Sequence, residues 1–304
     1  PLQGDFEGIG VQFNMIEDTL VVIQPVVNGP SEKVGIIAGD RIVMVDDTLI
    51  AGVKMNRADI MKRLRGKKGT KVKLSIVRRG VKGMLNFIVT RAKIPVHTVN
   101  AAYIIRPGIG YIRLESFGMK THEEFMEAVE KLRKQGMKQL ILDLQDNGGG
   151  FLEAAVRIAN EFLQNNDMIV YTEGRRVPRQ NYKARGNGQL KDMPVYVLVN
   201  ELSASAAEIV SGAIMDNDRG TLIGRRTFGK GLVQRPFELP DGSMIRLTVA
   251  HYYIPSGRCI QKPYKKGDKD DYDMDLENRL KNGELTNPDS IHFTYSLKYY
   301  TVRK

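Results

Sequence analysis

At 304 residues, with 42% hydrophobic and 27% charged side chains, the chain has the makeup of a globular protein of two domains or one large one. It holds no apolar run of about eighteen residues, which excludes a membrane-spanning helix. Its single cysteine, Cys259, excludes an intrachain disulfide and a thiolate-built metal site. The net charge of +11 is spread among acids, and the densest basic clusters, residues 175–179 and 262–269, read as solvated loops in polar, turn-rich stretches, not as a nucleic-acid surface.

Taken in order, the opening residues, Pro1 to Gly8, show neither a charged leader nor an apolar core, so any export signal or anchor is expected upstream. Residues 10–13, 20–23, 40–45, 71–77 and 85–89 alternate as strands do. A helix is predicted from Asn56, which can cap it, to Leu64, with Ile60, Met61 and Leu64 as its apolar face. A short one, closed by Ala38-Gly39-Asp40, is predicted over residues 31–40. The turn Glu7-Gly8-Ile9-Gly10-Val11 before a strand, combined with Gly39-Asp40-Arg41-Ile42, resembles a PDZ domain spanning 6–92. The resemblance implies that the backbone N–H groups of Gly8, Ile9, Gly10 and Val11 receive a peptide's C-terminal carboxylate, while the peptide adds as an extra strand.

Residues 92–98, with Pro95 inside, read as a boundary. From 93 to 304 the pattern changes to strands alternating with longer helices, an α/β core. Strands are expected at 110–114, 139–144, 195–199 and 220–224, and helices at 121–134, 151–163 and 204–215. Thr121 with Glu124 is set out as a capping box. Residues 262–290 read as a polar surface excursion with a short helix near 276–280.

Three turns interrupt this scaffold. Asp143-Leu144-Gln145-Asp146-Asn147-Gly148-Gly149-Gly150 places three glycines between a strand and a helix, where backbone N–H groups can face an anion. In Asn200-Glu201-Leu202-Ser203-Ala204-Ser205-Ala206-Ala207-Glu208, a serine either caps the next helix or stands in its positive end beside a forming oxyanion. Gly224-Arg225-Arg226-Thr227-Phe228-Gly229-Lys230-Gly231 has the outline of a phosphate loop. Gly231 nevertheless stands where a magnesium-binding hydroxyl is needed, and Pro236 comes too early for a helix. The apolar, glycine-rich setting of Lys230 suits a desolvated lysine, and desolvated lysines serve as general bases. His97, His122, His251 and His292 all lie outside these turns.

In this order, after a PDZ-like segment, the three turns resemble the C-terminal-processing (tail-specific) serine peptidases. The resemblance implies a PDZ β-sandwich or barrel-like domain followed by a crotonase-like (ClpP/crotonase type) α/β peptidase core. It implies Ser205 as nucleophile, Lys230 as general base 25 residues on (230 − 205 = 25), and Gln234 orienting that lysine. The oxyanion donors would be the N–H groups of Ala206 and of Gly149 or its neighbour. Gln145 stands where the family often has Arg, and Ala207 where it often has Ser. No metal or cofactor is called for. The partners implied are protein substrates with apolar C-termini. Homo-oligomer formation and membrane attachment through an upstream segment are compatible, with an extracytoplasmic (periplasmic or membrane-associated) location. Two alternatives differ in chemistry: a catalytically silent PDZ scaffold, and a crotonase-like acyl-CoA enzyme.

Overall fold

The structure, a computed structural model, describes residues 5–264, 272–287, 290–291 and 298–302. It forms two units, one ending at Val96 and one beginning at His97, each with its own apolar core.

In the first unit the elements are β1 (Asp5–Gly8), β2 (Val11–Ile16), β3 (Thr19–Pro25), α1 (Pro30–Lys33), β4 (Arg41–Val45), β5 (Thr48–Leu49), α2 (Arg57–Leu64), β6 (Lys71–Val77), β7 (Leu85–Thr90) and β8 (Ala92–Pro95). The main sheet has the order β2-β3-β4-β6-β7, with β5 beside β4. Alternation along β3 and β6 turns Leu20, Val22, Leu74 and Ile76 inward, and a register shift between Ile42 and Met44 lets both Ile42 and Val45 of β4 join them against Ile60 and Leu64 of α2. Helix α2 starts where expected, with Asn56 Oδ1 accepting the Asp59 N–H at 2.9 Å. Two readings change. The helix expected over 31–40 ends at Lys33, because Gly35 and Gly39 take φ of +90° and +87° and Asp40 turns to bond the Ile37 N–H and Arg78. The stretch read as a boundary does hold the division at Val96 and His97, but it also contains β8, which pairs antiparallel with β1 despite Pro95 at its end.

The second unit holds β9 (Val99–Arg106), β10 (Ile109–Leu114), α3 (Thr121–Lys134), β11 (Gln139–Asp143), α4 (Leu152–Asn160), β12 (Met168–Gly174), β13 (Val177–Lys183), β14 (Val195–Val199), α5 (Ala206–Asp216), β15 (Thr221–Gly224), β16 (Leu232–Glu238), β17 (Met244–Tyr253) and a last helix, Asp275–Lys281. Its five-stranded sheet runs β15-β14-β11-β10-β9. Strands β10, β11, β14 and β15 are parallel, and β9 is antiparallel. Leu140, Leu142 and Val197 from this sheet bury against Phe125 and Leu132 of α3, Ile158 of α4 and Val210 and Ile214 of α5.

A second sheet, β13-β12-β17-β16, was not visible in the sequence pattern. Much of β13 is exposed, so its residues lack apolar alternation. The 175–179 cluster read as a solvated loop in fact straddles the β12–β13 turn, and the Arg179 guanidinium lies 3.6 Å from the centre of the Tyr171 ring. Pro236 sits inside β16, an edge strand, where its missing N–H costs no ladder bond to a second neighbour. The capping box expected at Thr121 does not form. Lys120 is the N-cap residue, the Thr121 hydroxyl accepts the Gly118 N–H, and Glu124 reaches back to the Thr98 N–H and hydroxyl at 2.6 and 2.8 Å.

Phe125 and Phe162 are fully buried with ring centres 6.1 Å apart. Phe162→Ala is expected to cost about 3–5 kcal/mol in the second unit, measured by urea unfolding, and to leave the first unit's transition in place.

Candidate active site

The three turns leave the C-terminal ends of three parallel strands that lie side by side. The glycine turn follows β11, the serine turn follows β14, and the lysine loop follows β15, with β14 between the other two. Open α/β sheets place their ligand crevice at this end.

Each turn is tied to the next through main-chain bonds. Ala204 donates its N–H to the Asn147 carbonyl at 2.9 Å, joining the serine turn to the glycine turn. Phe228 donates to the Ser203 carbonyl at 3.0 Å, joining the lysine loop to the serine turn. A side chain added at Gly149, where φ is +95°, would put its Cβ 2.7 Å from Ser205 Cβ and 2.9 Å from Ala206 N. Only glycine allows that approach.

The two candidate serines separate clearly. Ser203 is fully buried; its hydroxyl donates to the Leu144 carbonyl at 2.7 Å and accepts the Asn200 N–H at 2.9 Å. That hydroxyl is committed to the scaffold. Ser205 is only half-buried and stands at the N-cap of α5 with φ +57° and ψ −111°, a strained conformation for a residue with a side chain. Ala206, the first helical residue, has an N–H with no acceptor among the described residues, as helix starts do.

Glu208 is the residue that the sequence reading left without a role. It lies one turn into α5, 5% exposed, and its carboxylate accepts four hydrogen bonds. They come from the Ser205 N–H (2.8 Å), the Gly229 N–H (2.6 Å), the Lys230 N–H (2.9 Å) and the Thr227 hydroxyl (2.7 Å). The signal for it was present, since Ser205-x-x-Glu208 has the spacing of a capping box. Asn147 and Asn200 were missed as well. Asn147, fully buried, donates to the Leu114 carbonyl and accepts the Gly149 N–H; Asn200 accepts the Asp146 N–H and donates to the Asp146 carboxylate.

Some expectations change here. Lys230 is exposed, and its amine has no partner among the described residues, so the dry setting read from the sequence is absent. Gln234 is exposed on β16 beside a bulge at Val233 and Gln234, and no hydrogen bond joins it to Lys230. The Gly149 N–H is taken by Asn147 Oδ1 at 2.9 Å; the unpaired N–H groups of that turn, among the described residues, belong to Gly148 and Gly150. Lys262 is not the solvated loop cation expected: it is 8% exposed. Residues 265–269 of that cluster lie outside the described residues, as does His292. Of the other histidines, His97 faces Glu124, His122 faces Glu161, and His251 sits on β17 opposite Leu232. At the two departures from the resemblance, Gln145 donates its N–H to Asp143 and Ala207 is fully buried in α5.

In the first unit Ile9 is buried, and its carbonyl accepts from both the N–H and the hydroxyl of Ser31. Gly10 takes φ +70°, with its carbonyl bonded by the Val26 N–H. Gly8 ends β1, and Val11 opens β2, which pairs with β3 alone among the described residues and so keeps one free edge.

Residues 108–273 match the model of peptidase family S41, and residues 8–89 match that of the PDZ domain. The chain belongs to peptidase family S41. It is 39% identical over 264 residues to a carboxyl-terminal-processing protease of Synechocystis sp., covering 85% of this chain and 61% of that protein. It is 36% identical over 291 residues to the carboxy-terminal processing protease CtpA of Bacillus subtilis, covering 93% and 61%. The chain thus spans 61–63% of the length of the first relatives it matches. Among solved structures, a photosystem II D1 C-terminal processing protease aligns with a TM-score of 0.52 at 33% identity, over 86% of this chain and 70% of that one. The PDZ-then-peptidase order read from the sequence holds.

Burial pushes the Glu208 carboxyl above the usual glutamate range, against the pull of its four donors. Its folded value therefore exceeds its unfolded one. The stability it contributes is present below the unfolded value and fades as pH rises through the folded value. NMR of labelled glutamate side chains is expected to show Glu208 titrating late, and Glu208→Gln is expected to flatten that part of the stability–pH curve.

Proposed function

We propose that this chain is a serine endopeptidase in which Ser205 is the nucleophile and Lys230 the general base, acting on proteins presented by their apolar C-terminal tails. The observation that carries the reading is the Glu208 carboxylate, which holds the Ser205 N–H and the Lys230 N–H on one side chain. A scaffold has no need to bind a strained serine and a lysine loop to the same buried group. Membership in S41 and the names of the relatives point the same way.

In this mechanism Lys230, unprotonated, takes the Ser205 hydroxyl proton as the oxygen attacks the scissile carbonyl. The tetrahedral oxyanion forms at the N-terminus of α5, where the unpaired Ala206 N–H is one donor and the glycine turn supplies the second. Gly149 serves if it leaves Asn147 Oδ1; Gly148 offers an N–H already unpaired. The protonated lysine then gives its proton to the leaving amine, and water, deprotonated in turn, hydrolyses the acyl-enzyme. Gln234, not bonded to Lys230 in this arrangement, is assigned the part of orienting its amine once the lysine has moved. Because that amine has no partner among the described residues, the arrangement described is a resting one, and catalysis requires the lysine side chain to swing onto Ser205.

The PDZ unit supplies the tail site. A peptide adds along the free edge of β2, and its carboxylate meets the N–H groups of the Gly8-Ile9-Gly10-Val11 turn. An extracytoplasmic location belongs to this reading, as the family resemblance implies.

Ser205→Ala is expected to reduce cleavage of an unfolded protein with an apolar C-terminus by at least about a thousandfold in kcat/KM. Equal cleavage by both proteins would refute the assignment. Amidating the substrate's C-terminal carboxylate is expected to raise KM about tenfold with little change in kcat; a substrate whose KM ignores amidation is not held by the PDZ turn.

A further inference from the structure

The lysine loop is held on a second side, away from Glu208. Gln261 and Lys262, which follow β17, lie against it. Gln261 Oε1 accepts the Gly231 N–H at 3.0 Å, and the Lys262 N–H donates to the Gly229 carbonyl at 3.0 Å. These two bonds bracket Lys230. The approach is close enough that a Cβ on Gly229 would stand 2.7 Å from Lys262 Cβ, and one on Gly231 would collide with Gln261 N.

The Lys262 side chain then does something its neighbour does not. Its ammonium, 8% exposed, lies 4.7 Å from the centre of the Phe228 ring and 4.1 Å from that of Tyr272. Asp275 is at ion-pair distance, 3.0 Å, and the Tyr272 carbonyl accepts from it at 3.2 Å. Phe228 belongs to the lysine loop, whereas Tyr272 and Asp275 belong to the C-terminal part of the chain. A buried ammonium must recover its lost hydration from partners, and two ring faces with one carboxylate are a recognised set. A residue needed only to fill space between two rings would be apolar and would avoid that desolvation.

We propose that Lys262 is a positioning residue for the reaction: its caged ammonium locks Phe228, and with it the Thr227–Gly231 loop, so that Lys230 is presented to Ser205 from a fixed backbone. The proposal rests on the peptidase reading for its consequence and not for its geometry. Arg279 supports the same loop from the last helix, donating to the Arg226 carbonyl at 2.6 Å while bonding Glu284 at 2.9 Å. It holds the loop's entrance; Lys262 holds its centre.

The test uses the full chain carrying Lys262→Met, which keeps the length and removes the charge. With a peptide substrate of apolar C-terminus, kcat is expected to fall about tenfold or more with KM within about twofold. Lys262→Arg is expected to restore most of the loss, since guanidinium also packs on ring faces. Amide hydrogen exchange is expected to quicken at residues 227–231 in the Met variant and to stay unchanged in β11 and β14. Unchanged kcat together with unchanged loop exchange would overturn the proposal, and so would a general loss of protection across the unit, which marks a merely structural role. Where the Met variant fails to fold, Asp275→Asn is read by the same exchange measurement, and an unchanged loop again overturns it. If the wild type shows no Ser205-dependent cleavage, the peptidase reading fails, while loop exchange still decides the role of Lys262.

Discussion

One buried carboxylate organises the site. Glu208 spends its acceptor capacity on donors from two different segments, the Ser205 N–H on one side and Thr227, Gly229 and Lys230 on the other. Left without Glu208, three N–H groups and a hydroxyl would be buried or half-buried with no acceptor, a cost of about 1–3 kcal/mol each. The strain at Ser205, with φ +57°, persists because the surroundings over-determine it. Burial disfavours the charge that makes Glu208 a good acceptor, so the site is built on two opposed terms.

The parallel sheet of the second unit brings those segments into range of Glu208. Parallel pairing of β11, β14 and β15 puts three turns at one end of the sheet. Glycine at 149 and alanines at 204, 206 and 207 let them close to van der Waals contact. Ser203, Asn147 and Asn200 absorb the polar groups of the turns, so that, among the described residues, the N–H groups of Gly148, Gly150 and Ala206 and the Lys230 amine stay unpaired and the Ser205 hydroxyl donates to nothing. The proposed chemistry falls to groups that the scaffold does not use.

Much of this was legible because β11 and β14 are short apolar runs that give way within a few residues to turn formers, Asp146-Asn147-Gly148 and Asn200. The boundaries of β11, β14, β15 and α5 fall within a residue or two of expectation. The resemblance then chose between Ser203 and Ser205, a choice that capping rules alone left open and that burial of the Ser203 hydroxyl supports. What the sequence hid has physical causes. The β16–β17 hairpin is exposed on both faces over much of its length, so no alternation marks it. Lys262 looked like part of a charge run because its ring and carboxylate partners, Phe228, Tyr272 and Asp275, are 34, 10 and 13 residues away in the chain. The exposure of Lys230 is a matter of conformation, which flanking residue types do not encode.

The first unit shows the same economy on a smaller scale: β2 keeps a free edge, and the Gly8-to-Val11 turn is braced from behind by Ser31 and Val26. In the second unit, the proposed role of Ser205 as the one activated hydroxyl depends on the three strand-end turns. Labelling the full chain with a fluorophosphonate probe and mapping the modified peptide tests it most directly. The account predicts a single phosphonyl adduct on Ser205, lost in Lys230→Ala, with none on Ser203. An adduct on another residue, or one on Ser205 whose rate ignores Lys230, would contradict it.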